Sequence, residues 1–348
     1  MAALVLFAVL GSAVALLVLL FGDAPAVRHS PVHRLHLRLS CMVGSISRFF
    51  ARHERISSAL RWSVPIFYAV VVFYCVRLFF VNVKPNLEAS NMREVSITAT
   101  LFAVLLSTIG VTFANPGYVT AENVERERLA YKDNGLIFFG RVCPTCKWKR
   151  PARSKHCSVC NKCVSVFDHH CVWVNNCVGR GNYVWFMAFL VSNIAMMVYG
   201  AILCFKVLHR QERPHGWWKL IVRTSHGNKV AGTLLLLCVL LSAVTTIFTL
   251  VHVSYLYLGV TTNEADKWAE IEHLVDLGVL YYVRDGFYVE EAQLGTTRVY
   301  LSLDDEKIQF TEKNAPYITR IESVQTDLVN IYDRGFWGNV CERLFCKV

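Results

Sequence analysis

Hydrophobic positions along this chain fall into long blocks, not into the alternating or helical stripes of a water-soluble fold. Five blocks, at 2–21, 64–83, 95–113, 183–205 and 230–258, are mostly apolar over about the 20 residues that a helix needs to cross a bilayer core. Five transmembrane helices are therefore predicted. The third block is the most polar, with Ser96, Thr98, Thr100, Ser107 and Thr108. Their hydroxyls can bond back to helix carbonyls, so this block can still span. Arg77 stands near the end of the second, where it can snorkel or meet an anionic ligand.

The polar segments between the blocks give an orientation. Residues 28–61 are rich in arginine with Glu54 as the one acid, which places them in the cytosol by the positive-inside rule. Residues 84–94 carry balanced charge and suit a luminal loop. The third block then returns the chain to the cytosol, and the tail after 258 ends there too. Ala24-Pro25-Ala26 has the form of a signal-cleavage site, but no basic stretch opens the chain. Cleavage would also leave a cysteine-rich segment in an oxidising lumen, so an uncleaved anchor is expected. One loop disagrees. Residues 206–229 should be luminal yet hold Lys206, Arg210, Arg213, Lys219, Arg223 and Lys229 against Glu212, and an interfacial basic helix around Trp217 and Trp218 is the expectation there.

The organisation that follows is an N-terminal anchor at 1–22, a basic cytosolic loop at 23–61 and helices two and three at 62–113. A cytosolic cysteine-rich domain at 114–182 comes next, then helices four and five at 183–258 with the basic luminal loop, and a cytosolic tail at 259–348. In fold class this is a predominantly α-helical polytopic membrane protein.

Composition agrees. Of 348 residues 54% are hydrophobic and 18% charged, against about 25% charged in soluble domains, and mean hydropathy is +0.37. The net charge of +10 suits an anionic membrane surface in a chain this apolar; no nucleic-acid partner is expected. Thirteen cysteines raise the question of a disulfide framework, but seven fall between Cys143 and Cys177 among basic residues and histidines, the pattern of a metal site in a reducing compartment.

That segment reads CPTC at 143–146, HCSVCNKC at 156–163, DHHC at 168–171, then Cys177. Each C-x2-C pair can place two thiolates on one metal, and zinc takes four such ligands. With His156, His169 and His170 there are ten candidate ligands, and two zinc ions would use eight. Spacing alone leaves open which two are left over. Asp168, His169 and Cys171 together form an acid–base–nucleophile set within four residues. A thiol with a pKa of about 8.5 is mostly protonated at neutral pH and needs such a base. A membrane-anchored zinc-finger adaptor, the rival reading, gives the two leftover residues no task.

The stretch from Cys143 to Asn182, with KRPARSKHCSVCNKC and FDHHCVWVNNCVG, resembles the cysteine-rich domain of the DHHC family of protein S-acyltransferases (palmitoyltransferases). The resemblance implies one structural zinc on Cys143, Cys146, His156 and Cys163 and another on Cys157, Cys160, His170 and Cys177. It implies Cys171 as nucleophile, His169 as base and Asp168 as its orienting acid. Palmitoyl transfer from acyl-CoA to cysteines of membrane-associated proteins, through an acyl-Cys171 intermediate, is the activity implied. The location implied is the endoplasmic reticulum or Golgi.

Other positions carry the likeness further. TTNE at 261–264 is similar to the family's TTxE, with Thr262 toward the catalytic Asp; NPG at 115–117 stands where DPG is usual, keeping the turn and losing a carboxylate. NIYDRGFWGN at 330–339 resembles the C-terminal motif whose Asn, here Asn339, ties the tail down. Beyond it, Phe336, Val340 and Leu344 would share an apolar helical face. Arg150 and Arg153 are expected on the phosphates of coenzyme A, beside Lys155, and Trp173 at the acyl site. Trp268, Ile271, Leu274 and Val275 predict a short amphipathic helix ended near Gly278, and 288–310 alternates like strand.

Overall fold

The computed structural model describes residues 31, 34–41, 59–210, 226–283, 287–294, 297–304, 309–310 and 318–345. The first hydrophobic block and Trp217–Trp218 lie outside them. The chain falls into two units, 1–66 and 67–348. In the first, residues 34–41 are helical.

Four described helices are long and apolar enough to cross a membrane, and they coincide with the last four hydrophobic blocks. Helix α1 covers Ser63–Leu78 and runs on through a π turn, Phe79–Val83, and a 3-10 turn at Lys84–Asn86. Helix α2 is Asn91–Phe113. Its hydroxyls do turn back on the helix: Ser96 donates to Met92 O at 2.8 Å, Thr100 to Ser96 O at 2.7 Å and Thr108 to Val104 O at 2.7 Å. That satisfies them without water.

Beyond α2 the chain turns at Asn115-Pro116-Gly117. The Asn115 side-chain oxygen accepts the N–H groups of Gly117 at 2.9 Å and Tyr118 at 3.0 Å. Asparagine thus supplies the one acceptor that this turn needs, and no charge is required. Gly181 donates its N–H to Pro116 O at 3.1 Å, and a Cβ on Gly181 would stand 2.3 Å from the Asn115 carbonyl oxygen. Backbone therefore packs on backbone here. Gly181→Ala is expected to cost about 2 kcal/mol through this clash, seen as a lowered Tm of the detergent-solubilised protein.

After the short helix α3 (Val124–Ala130), two hairpins form the cysteine-rich domain. Strands β1 (Lys155–Cys157) and β2 (Lys162–Val164) pair antiparallel, as do β3 (His169–Cys171) and β4 (Asn176–Val178). Each ladder is only three residues long, and most of the domain around them is irregular. Asn176 of β4 fastens the domain to the membrane helices, donating to the free carbonyls of Val111 at 3.0 Å and Ala114 at 2.9 Å at the end of α2.

Helices α4 (Tyr183–His209) and α5 (His226–Tyr257) are the remaining spans. Both reach into the stretch expected as the basic loop, of which residues 211–225 lie outside the described chain. Large apolar side chains such as Phe73, Phe102 and Ile247 are exposed on these helices, as lipid-facing residues must be.

Helix α6 (Thr262–Asp276) follows, with Thr261 and Glu264 making a reciprocal capping box. Gly278, at φ +70°, stops it where the sequence suggested. Strands β5 (Leu280–Val283), β6 (Phe287–Leu294), β7 (Thr297–Ser302), β8 (Gln309–Phe310) and β9 (Ile318–Arg320) make an antiparallel sheet in the order β8-β7-β6-β5-β9. Tyr131, Ile137, Phe138, Ile271, Leu280 and Tyr332 share one core, which joins the sheet and α6 to the cysteine-rich domain. The chain continues through α7 (Val324–Asp327) and α8 (Gly335–Leu344). Asn339 donates to Leu256 O at 3.0 Å, fastening α8 to the end of α5.

Candidate active site and metal centres

Two four-ligand clusters stand as the family resemblance implies. Cys143, Cys146, His156 and Cys163 form one, and Cys157, Cys160, His170 and Cys177 the other, with all ligand atoms of each within 4.8 Å of one another. The sulfurs of Cys143, Cys146 and Cys163 lie 3.5, 3.4 and 3.8 Å from His156 Nδ1. Those of Cys157, Cys160 and Cys177 lie 3.7, 3.4 and 3.6 Å from His170 Nδ1. A tetrahedron with metal–sulfur bonds of about 2.3 Å and metal–nitrogen bonds of about 2.0 Å has edges of about 3.5–3.8 Å. The donor set fits a zinc-sized ion.

The strands explain the sharing. His156 pairs across its hairpin with Cys163, and His170 with Cys177. Cys157 and Cys160 lie at the turn of the first hairpin and bind with the second. The scheme is a tandem repeat: Cys143, Cys146, His156 and Cys163 each recur fourteen residues later as Cys157, Cys160, His170 and Cys177. Backbone details keep the same step. Positive φ occurs at Lys147, Asn161 and Asn175 (68°, 53°, 48°), directly after the second knuckle position each time. Val142 bridges Lys149 one repeat before the His156–Cys163 pair.

A third step lands on Cys171, but the next knuckle position is Val174, and Val184 and Val191 stand where His and Cys would follow. Cys171 thus occupies the first position of a third knuckle that has no other ligand. This periodicity is the signal in the sequence that ligand counting alone passes over.

Alternation along β3 then separates the two histidines. His169 and Cys171 are two apart and share a face, while His170 between them faces the other way, onto the metal cluster. Asp168 precedes them and is 2% exposed. Its Oδ2 accepts from His169 Nδ1 at 2.8 Å and from the Thr262 hydroxyl at 2.7 Å; its Oδ1 accepts from Arg343 Nη2 at 2.8 Å and from the Thr262 N–H at 3.2 Å. Burial opposes the charge on Asp168, but the His169 hydrogen bond and the Arg343 guanidinium outweigh it and hold the carboxyl well below the usual range. Burial likewise opposes protonation of His169, yet Asp168 and Cys171 raise it to about 9.

His252 of α5 completes the surroundings. It is 2% exposed, with ring centres 4.9 Å from Phe186 and 4.7 Å from Phe248. Its Nδ1 lies 3.9 Å from Asp168 Oδ2 and has no hydrogen-bond partner. Asp168, His169 and His252 are close enough to suggest a third metal, but the Asp168 oxygens already hold four hydrogen bonds, which leaves them no free direction toward a cation.

An apolar cavity of about 350 Å³ opens among α1, α2, α4 and α5, lined by Trp173, two residues beyond Cys171 in the chain, together with residues such as Tyr68, Leu101, Met197 and Leu237. Two of its polar residues are paired, the Tyr68 hydroxyl donating to Asn193 Oδ1 at 2.8 Å.

The expected phosphate contacts divide. Arg150 lines a polar cavity with Arg141, Lys155 and Lys267 and with the carboxylates of Asp133, Asp266 and Glu270. Arg153 does not face a ligand: it is 1% exposed and binds Glu264 through Nε and Nη2, both at 2.7 Å, Gly259 O at 3.1 Å and Glu342 at 3.4 Å. Its charge is used to lock α6 and α8 onto the cysteine-rich domain. The α8 face carrying Val340 and Leu344 packs against the core around Cys171, so it docks on protein. Arg343, His252 and Glu342 had no motif to mark them; Glu264 closes the TTNE motif, which does not reveal its pairing with Arg153.

Residues 137–269 match the family model described as DHHC palmitoyltransferase. The chain is similar to Palmitoyltransferase SWF1 of Candida albicans, 44% identical over 346 residues, which covers 96% of each chain. SWF1 of Debaryomyces hansenii is 39% identical, covering 98% of this chain and 97% of that one. For SWF1 of Yarrowia lipolytica the identity is 30%, with the same coverage of 98% and 97%.

Proposed function

This chain belongs to the DHHC palmitoyltransferase family and is a membrane-bound protein S-palmitoyltransferase with two Cys/His metal-binding clusters; from that premise we propose that it moves a palmitoyl group from acyl-CoA to protein cysteines through an acyl-Cys171 intermediate. The observation that carries this reading is the division of β3. Of the ten candidate ligands, eight close two metal sites, while His169 and Cys171 remain together on the opposite face with Asp168 behind them.

In the first step the Cys171 proton passes to His169 Nε2 and the sulfur attacks the donor thioester carbonyl. The new C–S bond forms as the bond to coenzyme A sulfur breaks. An imidazole held at about 9 keeps the proton at neutral pH and delivers it to the departing sulfur. Asp168 keeps Nδ1 protonated and so leaves Nε2 to face the thiol. In the second step a substrate cysteine attacks the acyl-enzyme with the proton again moving through His169. Zinc held by the two clusters would be structural, since four protein ligands in each would leave no open position for water.

The acyl chain lies in the apolar cavity, beside Trp173, where each buried CH2 contributes about 0.8 kcal/mol. Arg150 and its basic neighbours suit the phosphates of coenzyme A, and Thr262 serves through Asp168 rather than by touching the donor. The catalytic face looks onto the cytosol of an endomembrane, the endoplasmic reticulum or Golgi, where membrane-associated substrates present their thiols.

The test is a pre-steady-state one. Purified protein mixed with palmitoyl-CoA, without acceptor, is expected to release a burst of close to one coenzyme A per active chain and then almost stop. A peptide thiol should restart turnover. Release that begins only when the acceptor is added would mean direct transfer and would overturn the two-step reading.

A further inference from the structure

Arg343 lies 175 residues from Asp168 in the chain and reaches it from α8. The residue is 5% exposed. Nη2 is 2.8 Å from Asp168 Oδ1, Nη1 is 3.5 Å from Val260 O, and Cζ stands 3.9 Å from the centre of the Tyr183 ring. Contacts to three separate parts of the chain fix the plane of the guanidinium. Such burial is costly for arginine unless a carboxylate matches its charge. Its sequence neighbour Glu342 has a scaffold partner, Arg153. Among the described residues the carboxylate paired with Arg343 is Asp168.

We propose that Arg343 is a positioning residue for acyl transfer: it fixes the rotation of the Asp168 carboxylate so that Oδ2 stays on His169. The inference rests on the roles given above to Asp168, His169 and Cys171. The terminal torsion of an aspartate is broad and defines no angle by itself. Arg343 and the Thr262 N–H hold Oδ1, which leaves Oδ2 to His169 and the Thr262 hydroxyl. A competitor is at hand, since His252 Nδ1 is 3.9 Å from that same oxygen and unpartnered. A carboxylate free to turn would have a second histidine to choose, and His169 would lose the bond that aims Nε2 at the thiol. The groups around this carboxylate are therefore His169 on β3, Thr262 on α6, His252 on α5 and Arg343 on α8, with Tyr183 of α4 against the guanidinium.

The experiment uses the full chain in detergent and follows hydroxylamine-sensitive self-acylation against palmitoyl-CoA concentration, with metal content measured on each sample. Arg343→Met is expected to lower the saturating rate about 30-fold while the half-saturating concentration moves less than about 2-fold. Arg343→Lys should recover part of that rate. The decisive variant is Arg343→Met/His252→Phe. Removing the competing histidine should return several-fold of the lost rate, a gain that a purely structural arginine would not give. Full saturating rate in Arg343→Met overturns the proposal. So does a loss that neither Arg343→Lys nor His252→Phe lifts and that comes with lost metal, since Arg343 would then only hold the tail. A Cys171→Ser control that labels like wild type would sink the reading of Cys171 itself, and it is scored separately from every arginine variant.

Discussion

Cys171→Ser is expected to take up no hydroxylamine-sensitive acyl label, with the rate of transfer falling more than about 1,000-fold, while two metals per chain and the melting temperature are kept. Cys171 is 6% exposed and packs with Val174, Val178 and Phe186, and exchanging sulfur for oxygen there removes little volume. Serine is a far weaker nucleophile at neutral pH, because its hydroxyl holds the proton that a thiol yields to a neighbouring base. Neither metal loses a ligand, since all eight are supplied by other residues. Metal analysis and label incorporation on the same sample check both halves. A metal lost with the sulfur would mean that Cys171 is a ligand and that one of the other cysteines is the nucleophile.

The adjacent histidines are expected to fail in opposite ways. His169→Gln should keep both metals and lose about 1,000-fold in transfer rate, as removal of a general base from an acid–base–nucleophile set does. His170→Gln should lose one metal and, with it, the folded hairpin. It opens the cluster of Cys157, Cys160 and Cys177, and Cys157 and Cys160 sit at the turn of the first hairpin, so the damage reaches both. The cause is the pleat: neighbours on a strand face opposite ways, and β3 turns one imidazole to the metal and the other to the thiol. Metal stoichiometry with thermal melting separates the two variants. Equal metal content in both would contradict the division of faces.

What could be read in advance divides by the range of the interactions. The four described spans were legible because a bilayer demands about 20 apolar residues in a row, a local requirement. Their ends were less so: α5 begins at His226, before its hydrophobic block, because a helix carries on past the bilayer core while its carbonyls still find partners. The eight metal ligands were visible from spacing together with family likeness. Thr262 was placed correctly near Asp168. Arg153 was misread for a physical reason. A basic residue beside a metal domain reads as a ligand contact, and nothing local reveals Glu264 and Glu342, which are 111 and 189 residues away. Arg343 and His252 depend on the same kind of distant meeting. The fourteen-residue step, in contrast, was present in the sequence and needed only comparison of the segment with itself.

That step has a consequence while the protein is being made. The nascent chain leaves the ribosome at about 5–20 residues per second, so Cys177 appears after Cys157, Cys160, His169, His170 and Cys171 are already available. For that interval the nucleophile is as good a fourth donor as the cysteine still to come, and an ion that settles early must later be handed over. Chains in which the exchange fails would hold two ions and remain inert. Metal content would then overcount the working molecules in a preparation, and acyl label taken up at Cys171 is the proper measure of them.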